Sequence, residues 1–390
     1  MNADIACGTA QDLAIAGDLP AARAQLESAT ASIAKLRVVS SDLRVTCAEP
    51  AARVAQAEGD FATAIAQNRT LVASLEEDGD NGSDSWVAAT YGLATALGMS
   101  TDYRGSLEVD RHILDVLKAQ GLKDTSTYFA IASLGCAILR SGGQPKASVD
   151  FVAATIAAAR GGGADIDVPY FLEGCRDLSR LAAGEVSADL EASFNKNAKS
   201  LIGSGMQHMS IPYRTALTIL AVNRGDAAAA EASWAPLAPI EDQMLKSQRS
   251  GIEVASVVLS HAKVEILRGN YGAASRLLDV MAAKMAAHHQ ANPDDRVVSI
   301  CRAQLALATG KFTEAVRQAE AALDFSRRTA IDPQSSSLVG EALLWRARAE
   351  AESGDRLKAK ITAQEALPHL EKNMEPASSM IAAARGLAST

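Results

Sequence analysis

The chain has 390 residues, 48% of them hydrophobic but only 4% aromatic, and carries a formal net charge of −8. Its apolar content is mostly Ala, Leu, Val and Ile, a composition that favours closely packed helices because Ala is the best helix former. The acidic balance without a basic run argues against a nucleic-acid partner, and no window approaches ~20 uninterrupted apolar residues, which argues against membrane insertion.

The start, MNADIACGTAQ, lacks a charged stretch followed by an apolar one, so the expectation is a soluble chain without an export signal. From there one phrase returns along the chain. It reads GDLPAA at Gly17, GDFATA at Gly59, TDYRGS at Thr101, GGQPKA at Gly142 and GEVSAD at Gly184. It continues as GDAAAA at Gly225, GNYGAA at Gly269, GKFTEA at Gly310 and GDRLKA at Gly354, with successive steps of 42, 42, 41, 42, 41, 44, 41 and 44 residues. So regular a period marks a repeated supersecondary unit.

Each phrase predicts a short turn whose leading Gly takes positive φ after a helix end. Five residues later comes a small side chain, as at Ala64, Ser106, Ala147 and Ala315, and seven residues earlier another, as at Ala52, Ala94, Gly135 and Ala303. Small residues on both sides of a turn describe two helices in contact. The flanks have helical periodicity: in KFTEAVRQAEAALDFSRR, Phe312, Ala315, Val316, Ala319 and Leu323 share one face. Between units stand EEDGDNGSDS (76–85), GGGAD (161–165), IGSGM (202–206), NPDD (292–295) and IDPQSSS (331–337), with Ser85, Asp165, Asp295 and Ser335 as N-cap candidates. The organisation expected is one continuous array over 1–373, with turns near 17, 59, 101, 142, 184, 225, 269, 310 and 354. The stretch 374–390 is expected to form a C-terminal capping helix, with Ala384 and Leu387 inward.

Chemistry-bearing motifs are missing: there is no GxxxxGK[ST], GxSxG, HExxH or GxGxxG, so no enzyme is expected. The six histidines lie on different units without metal-ligand spacing, and the adjacent His288 and His289 point about 100° apart on a helix. No cofactor and no metal is expected. DGDNGSDS (78–85) reads as an acidic joint, because a calcium loop needs its Gly elsewhere and a Glu at the twelfth position. Asn68 and Asn81 stand in formal glycosylation sequons, which read as incidental. Five cysteines show no CxxC; Cys7 and Cys47 lie 40 apart and Cys136 and Cys175 lie 39 apart, each close to one repeat. Buried or surface thiols in a reducing compartment and bridges between neighbouring helices both stay open.

A helical hairpin with a small residue in its first helix, a Gly-Asp-aromatic turn and Ala five residues after the Gly resembles the tetratricopeptide repeat family. The long period is similar to the kinesin-light-chain-like subtype. Units at Gly17, Gly59, Gly269, Gly310 and Gly354 match best, and the unit at Gly184 departs most, with Glu185, Val186 and Asp189 in place of Asp, aromatic and Ala. The resemblance covers roughly residues 3 to 373 and implies an all-α, right-handed superhelical solenoid of about nine hairpins. The unit at Gly184 is the expected place of local opening, over 166–205. The tail is weakly similar to the ends of repeat regions on bacterial receptor-type serine/threonine kinases, although Glu375-Pro376 replaces their usual turn.

The family resemblance also implies a concave groove, lined by the first helix of each unit, that takes a protein or peptide. Carried over at ten, six and three residues before the Gly, groove positions hold Glu49, Arg53, Gln56, Tyr91, Cys136, Leu139, Ile219, Lys263, Gln304, Leu344 and Arg348. Three residues further out than the first of these lie Phe129 and Phe171. The candidate site is therefore Arg53, Gln56, Tyr91, Phe129, Phe171, Lys263, Gln304 and Arg348, with aromatics as anchors and charges setting orientation. Each of these can also fill gaps or solvate an empty surface, while Tyr103, Tyr271, Phe312, Trp86, Trp234 and Trp345 read as packing residues. The functional expectation is an interaction module, either the sensory or scaffolding part of a bacterial signalling protein or a free-standing scaffold. It is cytoplasmic in the second case and potentially extracytoplasmic in the first.

Overall fold

The computed structural model describes residues 3–16, 18–36, 41–160, 169–246, 252–286 and 293–389. Gly17, Asp165, His288 and His289 lie outside them. Among the described residues the chain is all-α, a series of helical hairpins with no strand. It divides into two compact units, Met1–Gly135 and Cys136–Thr390.

The first unit holds α1 (Ala3–Ala16), α2 (Leu19–Ile33), α3 (Ser41–Ala57), α4 (Phe61–Glu77), α5 (Asp84–Met99) and α6 (Tyr103–Ala119). Helix α7 (Ser126–Ser141) contains the division. The second unit continues with α8 (Pro145–Arg160), α9 (Tyr170–Ala182), α10 (Ala188–Gly203), α11 (Ile211–Asn223), α12 (Ala227–Trp234), α13 (Ala238–Lys246) and α14 (Ile252–Leu267). It ends with α15 (Tyr271–Ala286), α16 (Pro293–Ala308), α17 (Phe312–Thr329), α18 (Ser337–Glu352), α19 (Arg356–Asn373) and α20 (Ser379–Ser389). We number the hairpins as repeats 1 to 9 and call their two helices A and B. Successive A helices pack on one another: α1, α3 and α5 in the first unit, and α9, α11, α14, α16 and α18 in the second, with α20 closing the row on α18.

The recurrent phrase is a closed hydrogen-bonding device. The residue after the leading Gly donates its N–H five residues back into helix A, Asp60 to Ala55 at 2.8 Å and Asp355 to Glu350 at 3.0 Å, satisfying a carbonyl that the helix end leaves open. That same Asp then caps helix B. The Asp60 carboxylate accepts from the Thr63 N–H at 3.1 Å, Asp102 from Gly105 at 2.9 Å and Asp226 from Ala229 at 2.9 Å. One Gly-Asp pair thus stops one helix and starts the next. Thr101 takes φ 70° in the Gly position, the one positive φ outside glycine among the described residues.

Repeat 4 corrects the sequence ruler by one residue. The positive φ belongs to Gly143 (86°), not Gly142, and helix B begins with Pro145 at its first position. The small pair that packs the hairpin is therefore Cys136 and Ser148, not Gly135 and Ala147. The Ser148 hydroxyl donates to the Cys136 carbonyl at 2.7 Å, as Ser106 does to Ala94 at 2.6 Å in repeat 3. The N-caps move similarly: Ser83 rather than Ser85 caps α5, Ser336 rather than Ser335 caps α18, and Asp295 lies inside α16.

Two repeats depart from the rule for visible reasons. In repeat 5 the turn is longer, Ser187 caps α10, and Asp189 is exposed while Leu190 fills the buried place. Buried Asp177 is held by Arg180 at 3.1 Å, and Arg180 also grips Glu185 at 2.6 Å, so charge pairs replace small-residue packing. In repeat 6 helix B breaks at the 3-10 turn Ala235–Leu237, where Pro236 removes a helical donor, and resumes as α13. That extra segment accounts for one of the 44-residue steps. It delivers buried Glu241 to His261 Nδ1 at 2.9 Å, beneath Trp234 stacked on the same ring at 3.6 Å.

Two disulfides join neighbouring A helices, Cys7 to Cys47 across α1 and α3 and Cys136 to Cys175 across α7 and α9, with Cα separations of 5.0 and 6.4 Å. Cys301 is a free, buried thiol. The second unit also makes contacts that skip repeats. Ile331 donates its N–H to the Gly142 carbonyl at 3.1 Å, Ser337 to Gly143 at 2.9 Å and Glu375 to Ala183 at 2.8 Å. The joints that follow repeats 8 and 9 therefore rest on the turns of repeats 4 and 5. This ties the turn of the divergent repeat to the end of repeat 9, so slow exchange is expected there in place of the local opening over 166–205.

Candidate functional site

Helix A carries the candidate side chains because helix B covers its other face. In the first unit Arg53 is exposed and reaches back one turn to Glu49 at 3.1 Å, an exposed pair of small energetic weight. Gln56 is half-buried, its amide 3.5 Å from the Met99 sulfur. Tyr91 is 39% exposed, and burial followed by the charge of Asp110 raises its hydroxyl pKa. Asp110 is fully buried on α6, and neither carboxylate oxygen has a hydrogen-bond partner. Burial pushes its pKa up to about 8 against the pull of Arg111. Phe129 corrects the sequence expectation: it is 1% exposed, and with the register of repeat 4 moved by one it no longer occupies the outer groove position. Phe129 is a core residue, edge-on to Tyr128.

In the second unit Cys136 is buried in the disulfide, Leu139 is buried three residues on, and Leu344 is core. Phe171 is half-buried and edge-on to Tyr170, whose hydroxyl points to the Met209 sulfur at 3.8 Å. Tyr271, expected to pack, is instead partly exposed.

Lys263, Gln304 and Arg348 form a different kind of set. Each stands six residues before the turn Gly, in repeats 7, 8 and 9, so the three share one register on the stacked helices α14, α16 and α18. All three are half-buried, and among the described residues none makes a side-chain hydrogen bond or ion pair. Arg348 lies 4.5 Å over the Trp345 ring, and burial lowers its pKa. Near the row Arg296 and Glu341 pair at 2.7 Å, and the charges of Arg296 and Lys263 hold the Glu341 carboxyl down against its burial. The row's neighbours in the same register, Ile219 and Leu178, are apolar and half-buried.

The row was legible from the repeat period; the Trp345 stack, the Arg296–Glu341 pair and orphaned Asp110 were not. Pro145, a helix-start signal, was the clue that could have corrected repeat 4 and removed Phe129. No group of three or more His, Cys, Asp or Glu side chains among the described residues could hold a metal ion, and no helix is long and apolar enough to cross a membrane.

No protein-family model matches the chain, and no curated protein matches it. Among solved structures it is similar to a tetratricopeptide repeat protein from Parabacteroides merdae, at 14% identity over 84% of this chain and 99% of that one, with a TM-score of 0.40.

Proposed function

We propose that the chain is an interaction module whose second unit binds an extended protein segment on the A-helix face, without catalysis of its own. The observation that carries this reading is the row of Lys263, Gln304 and Arg348, three half-buried hydrogen-bond donors in one register with no side-chain hydrogen bond or ion pair among the described residues. Half-buried donors that make no hydrogen bond within the protein are free to pair with a ligand that offers acceptors. Packed helices stand about 8–10 Å apart, and a polyproline II segment advances about 3.1 Å per residue with three residues per turn, so such a row matches every third residue of a segment bound in that conformation. Two cationic ends around an amide favour a segment with acidic side chains. Phe171 is a further candidate contact in the second unit, and Arg53, Gln56 and Tyr91 are a separate candidate surface of the first.

Peptide-display selection on the purified chain, repeated with Lys263→Glu and Arg348→Glu, tests this. Enrichment of acidic segments by the wild type alone supports the row, and equal enrichment by both chains refutes it.

The sensory or scaffolding part of a bacterial signalling protein is the setting we favour over a free-standing scaffold. The two disulfides support an oxidising compartment, as an extracytoplasmic sensor region would occupy. A pull-down from source-cell lysate with wild type beside an Arg53→Glu, Lys263→Glu, Arg348→Glu variant identifies the partner. Recovery of signalling components by wild type alone is the expected result.

A further inference from the structure

The joint between α17 and α18 reaches back across 194 residues to the turn of repeat 4. Both the backbone N–H and the hydroxyl of Ser337 donate to the Gly143 carbonyl, at 2.9 and 3.3 Å, and the Gln144 amide donates to the Ser335 carbonyl. The fit is close. A methyl group on Gly143 would stand 2.0 Å from the Ser336 hydroxyl, and one on Gly184 would stand 2.6 Å from that of Ser378. The equivalent glycines of repeats 6 to 9 meet nothing within 4 Å.

The joint is held ready from its own side. His369 Nδ1 accepts the Ser336 N–H at 3.2 Å and Asn373 donates to the Ser335 hydroxyl at 3.2 Å, both from α19. A second point of contact, Glu375 to Ala183, lies one repeat further along each partner. An array whose units touch only their neighbours opens unit by unit. Two registered contacts more than four repeats apart link units that such an array leaves independent.

We propose that these contacts form a releasable clasp, a conformational device whose two points part together and which makes repeats 4 and 5 open in concert with repeats 8 and 9. The residues between its jaws include α14, α16 and α18, so the clasp fixes the arc on which the donor row stands. It stands independently of which ligand that row takes.

Ser337→Pro tests the clasp selectively. Ser337 is the first residue of α18, where proline suits the helix, and Ser336 before it has φ −144° and ψ 128°, which a following proline accepts. Both donors to Gly143 are lost, and the ring Cδ, standing where the N–H was, presses the Gly143 carbonyl away, so the first contact is broken without a change in the capping of α18. Ala227→Pro, at the first position of α12, makes the same change away from the clasp. Hydrogen exchange of the full chain is expected to quicken on the order of tenfold in Ser337→Pro at 140–150 and 331–345, and also at the second contact, 180–190 and 374–384, with no such change in Ala227→Pro. Acceleration confined to 331–345, or equal in both variants, overturns the proposal. Should Ser337→Pro fail to fold, Gln144→Ala removes a single clasp hydrogen bond, and unchanged exchange at 374–384 in that variant overturns it equally.

Discussion

Replacing Asp110 by Asn should reshape the pH dependence of stability. Asp110 is buried with both oxygens unpaired, and its pKa stands at about 8 in the folded chain, against about 3.9 when unfolded. Between those values the folded state keeps a proton that the unfolded state has released. Stability is therefore highest below the unfolded pKa, falls as pH rises through the window, and levels off above the folded pKa. Each unit of separation corresponds to about 1.36 kcal/mol, so raising the pH from 5 to 7.5 should remove about 3 kcal/mol from wild type through this group alone. Asn cannot titrate and should lose none of it. Urea unfolding followed by circular dichroism at pH 5, 6 and 7.5, for both chains, gives the comparison as a difference, in which all other titrating groups cancel. The gap should widen in favour of Asp110→Asn as pH rises. Parallel curves for the two chains would show that Asp110 is ionised, with a cation or water at its oxygens, and would refute the reasoning.

Further outcomes follow from the turns and the cysteines. Thr101→Gly should stabilise the chain by about 0.5 kcal/mol, the relief of a left-handed β-branched residue less the added freedom of glycine when unfolded, read from the urea midpoint. Lys311 stands where other turns place a capping Asp and makes no side-chain cap; Lys311→Asp should add about 1 kcal/mol, whereas Asp60→Ala should remove about as much. Denatured but unreduced chain should titrate one thiol, Cys301, and five after reduction; five before reduction would exclude both bridges. Amides across repeat 5 should exchange as slowly as those of repeats 4 and 8, because its turn is tied to Glu375.

The hairpins were readable because each is specified locally. A Gly-Asp pair and two small residues within twelve positions are enough to stop, turn and pack two helices, and the period exposes them. The site was readable only where it inherits that period: Lys263, Gln304 and Arg348 fall in register because helix A repeats, whereas Phe129 was misplaced by a doubled glycine that shifts repeat 4 by one residue. Asp110 gave no signal, since an acidic residue on a helix reads as solvated until the helix packed over it is known. The clasp was hidden for a related reason. Its partners are serines and glycines that any loop contains, and their meaning lies in a pairing 194 residues apart.

That distance has a consequence for synthesis. Every turn closes on residues already made, so each hairpin can form while the chain is still emerging, with little loop-closure entropy to overcome. Gly143 must wait for Ser337. At about 5–20 residues per second the ribosome needs roughly 10–40 s to cover the interval. Throughout it the carbonyl of Gly143 stands open on the nascent repeats, and the second unit reaches its final form only as its last two repeats arrive.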